Sequence, residues 1–68
     1  MTTLDARGLS CPEPVIMIQK AMKSKKAAYV MTVDNHASKE NVTRFAEKAG
    51  YKVTITENNG EYTLEMRK

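Results

Sequence analysis

Residues 51–67 read YKVTITENNGEYTLEMR, two runs of alternating apolar and polar side chains separated by Asn58, Asn59 and Gly60. Side chains alternate between the two faces of a strand, and Asn-Gly is a preferred pair in a type I′ hairpin turn. We therefore predict a hairpin with Asn59 and Gly60 at the centre of its turn. The predicted pairs are Asn58 with Glu61, Ile55 with Leu64, Val53 with Met66, Thr56 with Thr63, and Thr54 with Glu65. The apolar pairs share one face, so only that face needs to be covered by helices.

The segment before the hairpin predicts an amphipathic helix. Apolar residues recur there with the i, i+3, i+4, i+7 spacing of one helix face: Val42, Phe45, Ala46 and Ala49. Asn35 or Ser38 can cap the start of this helix, because a short polar side chain there accepts a hydrogen bond from a free N–H group. Gly50 is expected to end it, since glycine readily adopts the left-handed conformation that follows many helices.

Three earlier elements complete the prediction. Residues 28–33 are rich in apolar and β-branched side chains and predict a buried strand. Residues 12–24 predict the first helix, and Thr2 to Ala6 predicts a short opening strand. The apolar stripe expected on the first helix consists of Val15, Ile18 and Met22, widened by Ile16 and Met17. Met17, Met22, Met31 and Met66 are all expected to face the core.

The predicted order is β-α-β-α-β-β. Each strand-helix-strand unit implies parallel neighbouring strands, and the final hairpin adds an antiparallel one. We therefore predict an α/β (α+β) two-layer sandwich in which a mixed four-stranded sheet carries two helices on one face. With 68 residues, the chain has room for one domain, covering residues 1–68.

The composition is that of a soluble globular protein, with 41% hydrophobic and 28% charged residues. No apolar run approaches the roughly 20 residues of a membrane-spanning helix, and Met1 to Asp5 lacks the features of a signal peptide. We expect a cytoplasmic protein that contacts no membrane and is a monomer.

The only cysteine, Cys11, begins the sequence Cys11-Pro12-Glu13-Pro14. Two closely spaced prolines are tolerated only in the first turn of a helix, whose N–H groups have no intrahelical partner. The first helix should therefore begin at or next to Cys11. A helix N-terminus favours a thiolate over a thiol, so we predict an unusually nucleophilic cysteine. The alternative is that Cys11 is a small buried hydrophobic residue.

Three other side chains could interact with Cys11 or tune its charge. Glu13 gains from the helix dipole in the first turn, and its charge would slightly oppose a nearby thiolate. Arg7 could offset that charge, although an exposed arginine in the loop is the simpler interpretation. His36 precedes the second helix, where a capping or surface role is expected rather than that of a base. One cysteine and one histidine cannot supply the ligands of a structural zinc site, and we expect neither metal nor cofactor.

Lysines are concentrated at the predicted end of the first helix, at Lys20, Lys23, Lys25 and Lys26. The simpler interpretation is a solvated helix end, where cations are favoured by the helix dipole. The alternative is a docking patch for an acidic partner or for RNA. On this evidence, we do not expect direct binding of nucleic acid.

The segment from Leu4 to Val15, LDARGLSCPEPV, resembles the opening of the TusA (SirA-like) sulfur-carrier family, which is marked by a Cys-Pro-x-Pro motif after a short strand. The resemblance covers essentially the whole chain. It implies the same two-layer sandwich and a persulfide on Cys11, with Pro12 and Pro14 as the motif prolines and Glu13 at its variable position.

Further details of the resemblance concern the branch and its partners. The tRNA-thiolation carriers typically have Asp-Asp-Pro where this chain has Asp34, Asn35 and His36. Residues 33–46 instead resemble the N-terminal domain of YedF-type proteins, a branch associated with selenium metabolism in which a DsrE-like domain usually follows. The resemblance implies a cysteine desulfurase or a rhodanese as sulfur donor and a sulfur-accepting protein, such as a DsrE-like one, as acceptor.

Three functions are therefore considered. The first is a sulfurtransferase-type relay that accepts persulfide sulfur on Cys11 and passes it on, rather than an independent turnover enzyme. The second is a non-catalytic module that binds RNA or a regulatory protein. The third is a thiol redox switch, in which Cys11 forms a mixed disulfide with a partner.

Overall fold

The computed structural model describes residues 2–10 and 12–68. Its strands are β1 (Thr2–Asp5), β2 (Ala28–Val33), β3 (Lys52–Asn58) and β4 (Glu61–Arg67). Its helices are α1 (Glu13–Ala21) and α2 (His36–Lys48), and a 3₁₀ turn, Met22–Ser24, follows α1. The predicted order of strands and helices is thereby confirmed.

The four strands form one mixed sheet in the order β1-β2-β4-β3. β1 and β2 are parallel, as expected for strands joined by a helix, while β4 is antiparallel to both β2 and β3. α1 and α2 contact each other and cover one face of the sheet. This is the predicted two-layer α/β sandwich.

The hairpin has the predicted register throughout. Ile55 lies opposite Leu64, Val53 opposite Met66, and Asn58 opposite Glu61. Both turn residues have positive φ, 53° at Asn59 and 80° at Gly60, as a type I′ turn requires. The polar partners, including Thr56 and Thr63, lie on the other face of the sheet.

The core lies between this sheet and the two helices. The β2 side chains alternate regularly, with Tyr29, Met31 and Val33 fully buried. Opposite them, Leu64 and Met66 of β4 are also fully buried. Three residues that were predicted to be covered are exposed instead. Ile55 lies on the edge strand β3 and is 42% exposed. Ile16 is 42% exposed because it points away from the stripe centred on Ile18, and Ala49 is exposed because it lies at the C-cap of α2.

The first helix is shorter than the predicted span of residues 12–24, because hydrogen bonds from outside the helix interrupt its last turn. The Tyr29 hydroxyl donates to the Ala21 carbonyl at 3.0 Å, and Ser24 Oγ donates to the same oxygen at 2.7 Å. The Lys26 N–H group donates to the Tyr29 hydroxyl at 2.9 Å. The chain therefore tightens into the 3₁₀ turn and then leaves the helix. In the described part of the chain, no helix is long and apolar enough to cross a bilayer.

Lys25 closes this turn in the left-handed conformation, with φ 54° and ψ 40°. A side chain there costs on the order of 1 kcal/mol, which glycine avoids. We expect Lys25→Gly to raise the free energy of unfolding by about 0.5–1 kcal/mol in urea denaturation. Lys23→Gly is the matched control, because Lys23 lacks a positive φ. Lys23→Gly should lower the free energy of unfolding. Equal effects of the two substitutions would show that the Lys25 backbone is not strained.

Candidate functional site

The Cys-Pro-x-Pro motif lies at the junction between the β1–α1 loop and α1. Cys11 itself is outside the described residues, so its predicted placement remains a prediction. The residues on either side are well defined. The Glu13 N–H group donates to the Ser10 carbonyl at 3.0 Å, and the Ile16 N–H group donates to the Pro12 carbonyl at 3.0 Å. Helical hydrogen bonding is thus established immediately after the motif cysteine in the sequence.

The two prolines occupy positions suited to a helix start. Pro12 is the N-cap, with φ −98° and ψ 11°, and Pro14 lies in the first turn. Pro14 is also fully buried, so its ring anchors the start of α1 to the core. Among residues 2–10 and 12–68, no side chain caps this helix end. Glu13, the residue between the prolines, is exposed and begins α1.

The loop before the motif is tied to the segment that follows β2. The Gly8 N–H group donates to Asp34 Oδ2 at 2.7 Å, and Asn35 Nδ2 donates to the Leu9 carbonyl at 3.3 Å. Ala6 continues the sheet, since its N–H group donates to the Thr32 carbonyl at 2.8 Å. The chain is therefore held in place on the N-terminal side of the motif by hydrogen bonds and on the C-terminal side by α1.

Asn35 connects this loop to the second helix. Its Oδ1 accepts a hydrogen bond from the Ser38 N–H group at 2.8 Å, which caps α2, while its amide nitrogen holds Leu9. Of the two predicted caps, Asn35 is therefore correct. Ser38 is instead buried, and its hydroxyl has no hydrogen-bond partner within the described residues.

The roles of Asp34 and Asn35 in holding the motif loop were not predicted from the sequence, in which Asn35 was expected only as a helix cap. The predicted strand order nevertheless contained a signal for these roles. The carboxyl ends of adjacent parallel strands meet at one edge of a sheet, so polar residues directly after β2 lie beside the loop that follows β1.

Arg7 binds carboxylates other than Glu13. Its guanidinium lies 2.8 Å from Asp5 Oδ2 and 3.5 Å from Glu61 Oε2. Its backbone N–H group also donates to Asp5 Oδ1 at 3.0 Å. The predicted offsetting of the Glu13 charge is not what the structure shows. Arg7 instead links the end of β1 to the start of β4 and orients the loop on which it lies.

The contact with Arg7 makes Asp5 unusually acidic. The side-chain hydrogen bond from Arg7, followed by the backbone one, lowers the pKa of Asp5 from 3.8 to about 2. Because the folded pKa is lowered, the contact stabilises the fold above the unfolded pKa of about 3.9 and is lost as pH falls through about 2. We expect an NMR titration of the Asp5 carboxyl carbon to show this low midpoint. Arg7→Gln should return it to the ordinary range, and an ordinary midpoint in the wild type would contradict the contact.

His36 lies at the first position of α2, and its Nε2 is 2.8 Å from Glu40 Oε1. Both side chains are more than half exposed. This is the surface role expected for His36. Among the described residues, no three histidine, cysteine or carboxylate side chains are grouped so that they could hold a metal ion.

An open depression lies between α2 and β3, at the edge of the sheet opposite β1. Its volume is about 390 Å³. The lining residues are Lys39, Glu40, Thr43, Arg44, Glu47 and Ile55. It shares no residue with the motif loop, so we do not assign it to the same site.

Comparisons with known proteins agree on the family of this chain and on its fold. The family model described as sulfurtransferase TusA matches residues 2–68. The sulfur carrier protein TusA of Pseudomonas entomophila is 33% identical, over 97% of this chain and 86% of that protein. The YrkF protein of Bacillus subtilis, whose name describes it as a candidate sulfur carrier, is 35% identical over 85% of this chain. This match spans about a third (32%) of the length of YrkF.

A solved structure shows the same architecture. The crystal structure of a SirA-like protein from Desulfitobacterium hafniense superposes with a TM-score of 0.89 and 32% sequence identity. The match covers 98% of this chain and 96% of that one.

Proposed function

Because this chain belongs to the TusA sulfurtransferase family, we propose that it is a sulfur carrier in which Cys11 accepts sulfur as a persulfide and hands it to an acceptor protein. One observation carries the proposal. The only cysteine of the chain directly precedes a proline-braced helix start whose flanking loop is held in place by side chains of another element.

The helix start supplies the electrostatics for such a role. α1 has nine residues and no side-chain cap from any described residue at its N-terminus, so the positive end of its dipole can favour a neighbouring anion. A thiolate and a persulfide anion are both anions, and both would be favoured there. The buried ring of Pro14 keeps this end of the helix fixed against the core.

The transfer is a thiol-persulfide exchange. The Cys11 thiolate attacks the outer sulfur of a persulfide on the donor enzyme, and the bond between the two donor sulfurs breaks. Cys11 then carries the persulfide, and the donor cysteine leaves as a thiolate. A thiolate of the acceptor then attacks the outer sulfur of the Cys11 persulfide in the same way, and Cys11 leaves as a thiolate. No net oxidant or reductant is needed, because each sulfur-sulfur bond that breaks is replaced by another.

The partners follow from this chemistry. The donor must present a cysteine persulfide, as a cysteine desulfurase or a rhodanese does. The acceptor must present a reactive thiol, for which a DsrE-like protein is one candidate. The resemblance to YedF-type proteins leaves selenium as a second possible cargo for the same thiol.

The direct experiment is loading by a cysteine desulfurase and cysteine, followed by mass spectrometry of the intact chain. We expect one added sulfur that is removed by a thiol reductant and is transferred to a second thiol protein. A chain that stays unmodified while a known carrier is loaded would contradict the proposal. A chain that forms only mixed disulfides under oxidant, and gains no transferable sulfur, would instead be a redox switch.

A further inference from the structure

The fold separates the charges of this protein into two opposite ends. Six of the eight carboxylates lie at the end that holds the motif loop: Asp5, Glu13, Asp34, Glu40, Glu57 and Glu61. Eight of the eleven cations lie at the other end, which we call the basic end: Lys20, Lys23, Lys25, Lys26, Lys48, Lys52, Arg67 and Lys68. The modest net charge of +3 conceals this separation.

Hydrogen bonds and strand pairing bring the segments of the basic end together. Lys52 and Arg67 are paired across β3 and β4, and Arg67 is also paired with Ala28 of β2. The Lys68 N–H group donates to the Ala27 carbonyl at 2.9 Å, and the Tyr51 hydroxyl donates to the Lys26 carbonyl at 2.8 Å. Four lysines that look like a solvated helix end in the sequence therefore join four cations from distant parts of the chain.

These cations are almost unneutralised. All eight are exposed. Within the described ranges, Arg67 is the only one with an ion pair, at 3.1 Å from Glu65. Of the described acidic side chains, Glu65 and Glu47, which lies on the last turn of α2, are the two near this end. The acidic end is too far away to compensate, since the six strand steps from Glu61 to Arg67 span about 20 Å. The Debye length at physiological ionic strength is only about 8 Å.

The loop that carries Lys25 and Lys26 is rigid and strained. Lys25 has a left-handed backbone that glycine would adopt without strain, and Lys26 is fixed through its N–H group and carbonyl by two tyrosine hydroxyls. Strained positions tend to cluster at functional sites. A charged side chain is thus kept at a place where the backbone favours glycine.

We propose that the basic end binds the phosphate backbone of nucleic acid, independently of the sulfur chemistry at the opposite end. Seven of the eight cations are lysines, which bind phosphate as point charges. A protein partner would need an apolar anchor. The only large hydrophobic residues exposed within the described ranges are Ile16 and Ile55, and neither lies at this end. Among the described residues of this end, no exposed aromatic ring is present for base stacking. Phosphate contacts alone carry no sequence information, so we expect binding without sequence preference.

The test is fluorescence anisotropy with a labelled single-stranded RNA of mixed sequence, between about 50 and 200 mM salt. If six cations contact phosphates, log K should fall with log salt with a slope of about −4. Removing two of them in Lys25→Gln/Lys26→Gln should weaken binding and reduce the slope by about 1.4. Lys52→Gln/Lys68→Gln removes two cations from other segments of the basic end and should reduce the slope by a similar amount. Agreement between the two variants would show that the effect does not come from a folding defect at Lys25 and Lys26.

The matched control is Lys39→Gln/Arg44→Gln, which removes the same charge from α2 outside the basic end and should leave binding nearly unchanged. Cys11→Ser should bind as the wild type does. The proposal is overturned if RNA does not bind at the lowest salt, or if the control pair weakens binding as much as the basic-end pairs. It is also overturned if poly-glutamate or vesicles containing phosphatidylserine bind more tightly than the RNA does.

Discussion

Tyr29→Phe should lower the free energy of unfolding by about 2 kcal/mol, although it removes a single oxygen atom. The Tyr29 hydroxyl accepts from the Lys26 N–H group at 2.9 Å, donates to the Ala21 carbonyl at 3.0 Å, and lies 3.0 Å from Ser24 Oγ. Its loss removes three polar contacts at once and leaves the partly buried Lys26 N–H group without its partner, which costs more than a single exposed hydrogen bond. The total stability expected for a 68-residue domain is only about 3–10 kcal/mol.

Tyr51→Phe provides the matched control for this prediction. The Tyr51 hydroxyl makes one hydrogen bond, to the Lys26 carbonyl at 2.8 Å, and the two rings pack edge to face with centroids 5.7 Å apart. We expect a loss of about 1 kcal/mol, since a carbonyl tolerates a missing partner better than an N–H group does. Urea denaturation measures both values. If Tyr29→Phe were no worse than Tyr51→Phe, its hydroxyl would not organise the turn.

Asn35→Ala should impair both the stability of the fold and the loading of Cys11. It removes the cap of α2, at a cost of about 1 kcal/mol, and it also removes the hydrogen bond to the Leu9 carbonyl. The loop before the motif then loses one of its two ties to the β2–α2 segment. We expect sulfur loading by a cysteine desulfurase to slow severalfold under conditions in which the variant remains folded.

Asn35→Asp separates the two roles of this residue. Aspartate caps a helix as well as asparagine does, but it cannot donate to the Leu9 carbonyl. The Asn35 amide also donates to Asp34 Oδ1 at 3.3 Å, so the new carboxylate is repelled by Asp34 and stability should fall although the cap is kept. Loading should slow at least as much as it does in Asn35→Ala, under conditions in which both variants remain folded. Loading at the wild-type rate in both variants would show that the tie to Leu9 does not support the site.

The sequence predicted the fold correctly where two independent patterns in neighbouring residues indicate the same structure. The alternation of residues 51–67 and the positive φ required at Asn59 and Gly60 fix the same register, so all the predicted pairs of the hairpin are confirmed. The β2 strand has the predicted bounds, Ala28–Val33, because Asp34 and Asn35 end the apolar run without ambiguity.

The errors arose where a distant residue decides the outcome. The end of α1 is set by the Tyr29 hydroxyl, which lies on a later strand and which helix periodicity does not take into account. Ile16 was placed on the apolar stripe because it is apolar, although its angular position on the helix leaves it 42% exposed. The pairing of Arg7 with Glu61 joins residues 54 positions apart, so no local pattern contains it.

The same reasoning applies to the candidate site and to the basic end. The proline-marked helix start was predictable because it is encoded in consecutive residues, and α1 begins at Glu13, two residues after the motif cysteine. The ties from Asp34 and Asn35, and the gathering of Lys52, Arg67 and Lys68 beside Lys26, depend on strand order and had to be observed.

If the start of α1 keeps the sulfur of Cys11 ionised, the pH dependence of its alkylation should reveal a lowered thiol pKa. The rate of reaction with iodoacetamide should follow a single titration with a midpoint clearly below 8.5, the pKa of a free cysteine thiol. A midpoint at or above that value, or a thiol that reacts only when the chain is unfolded, would contradict the account.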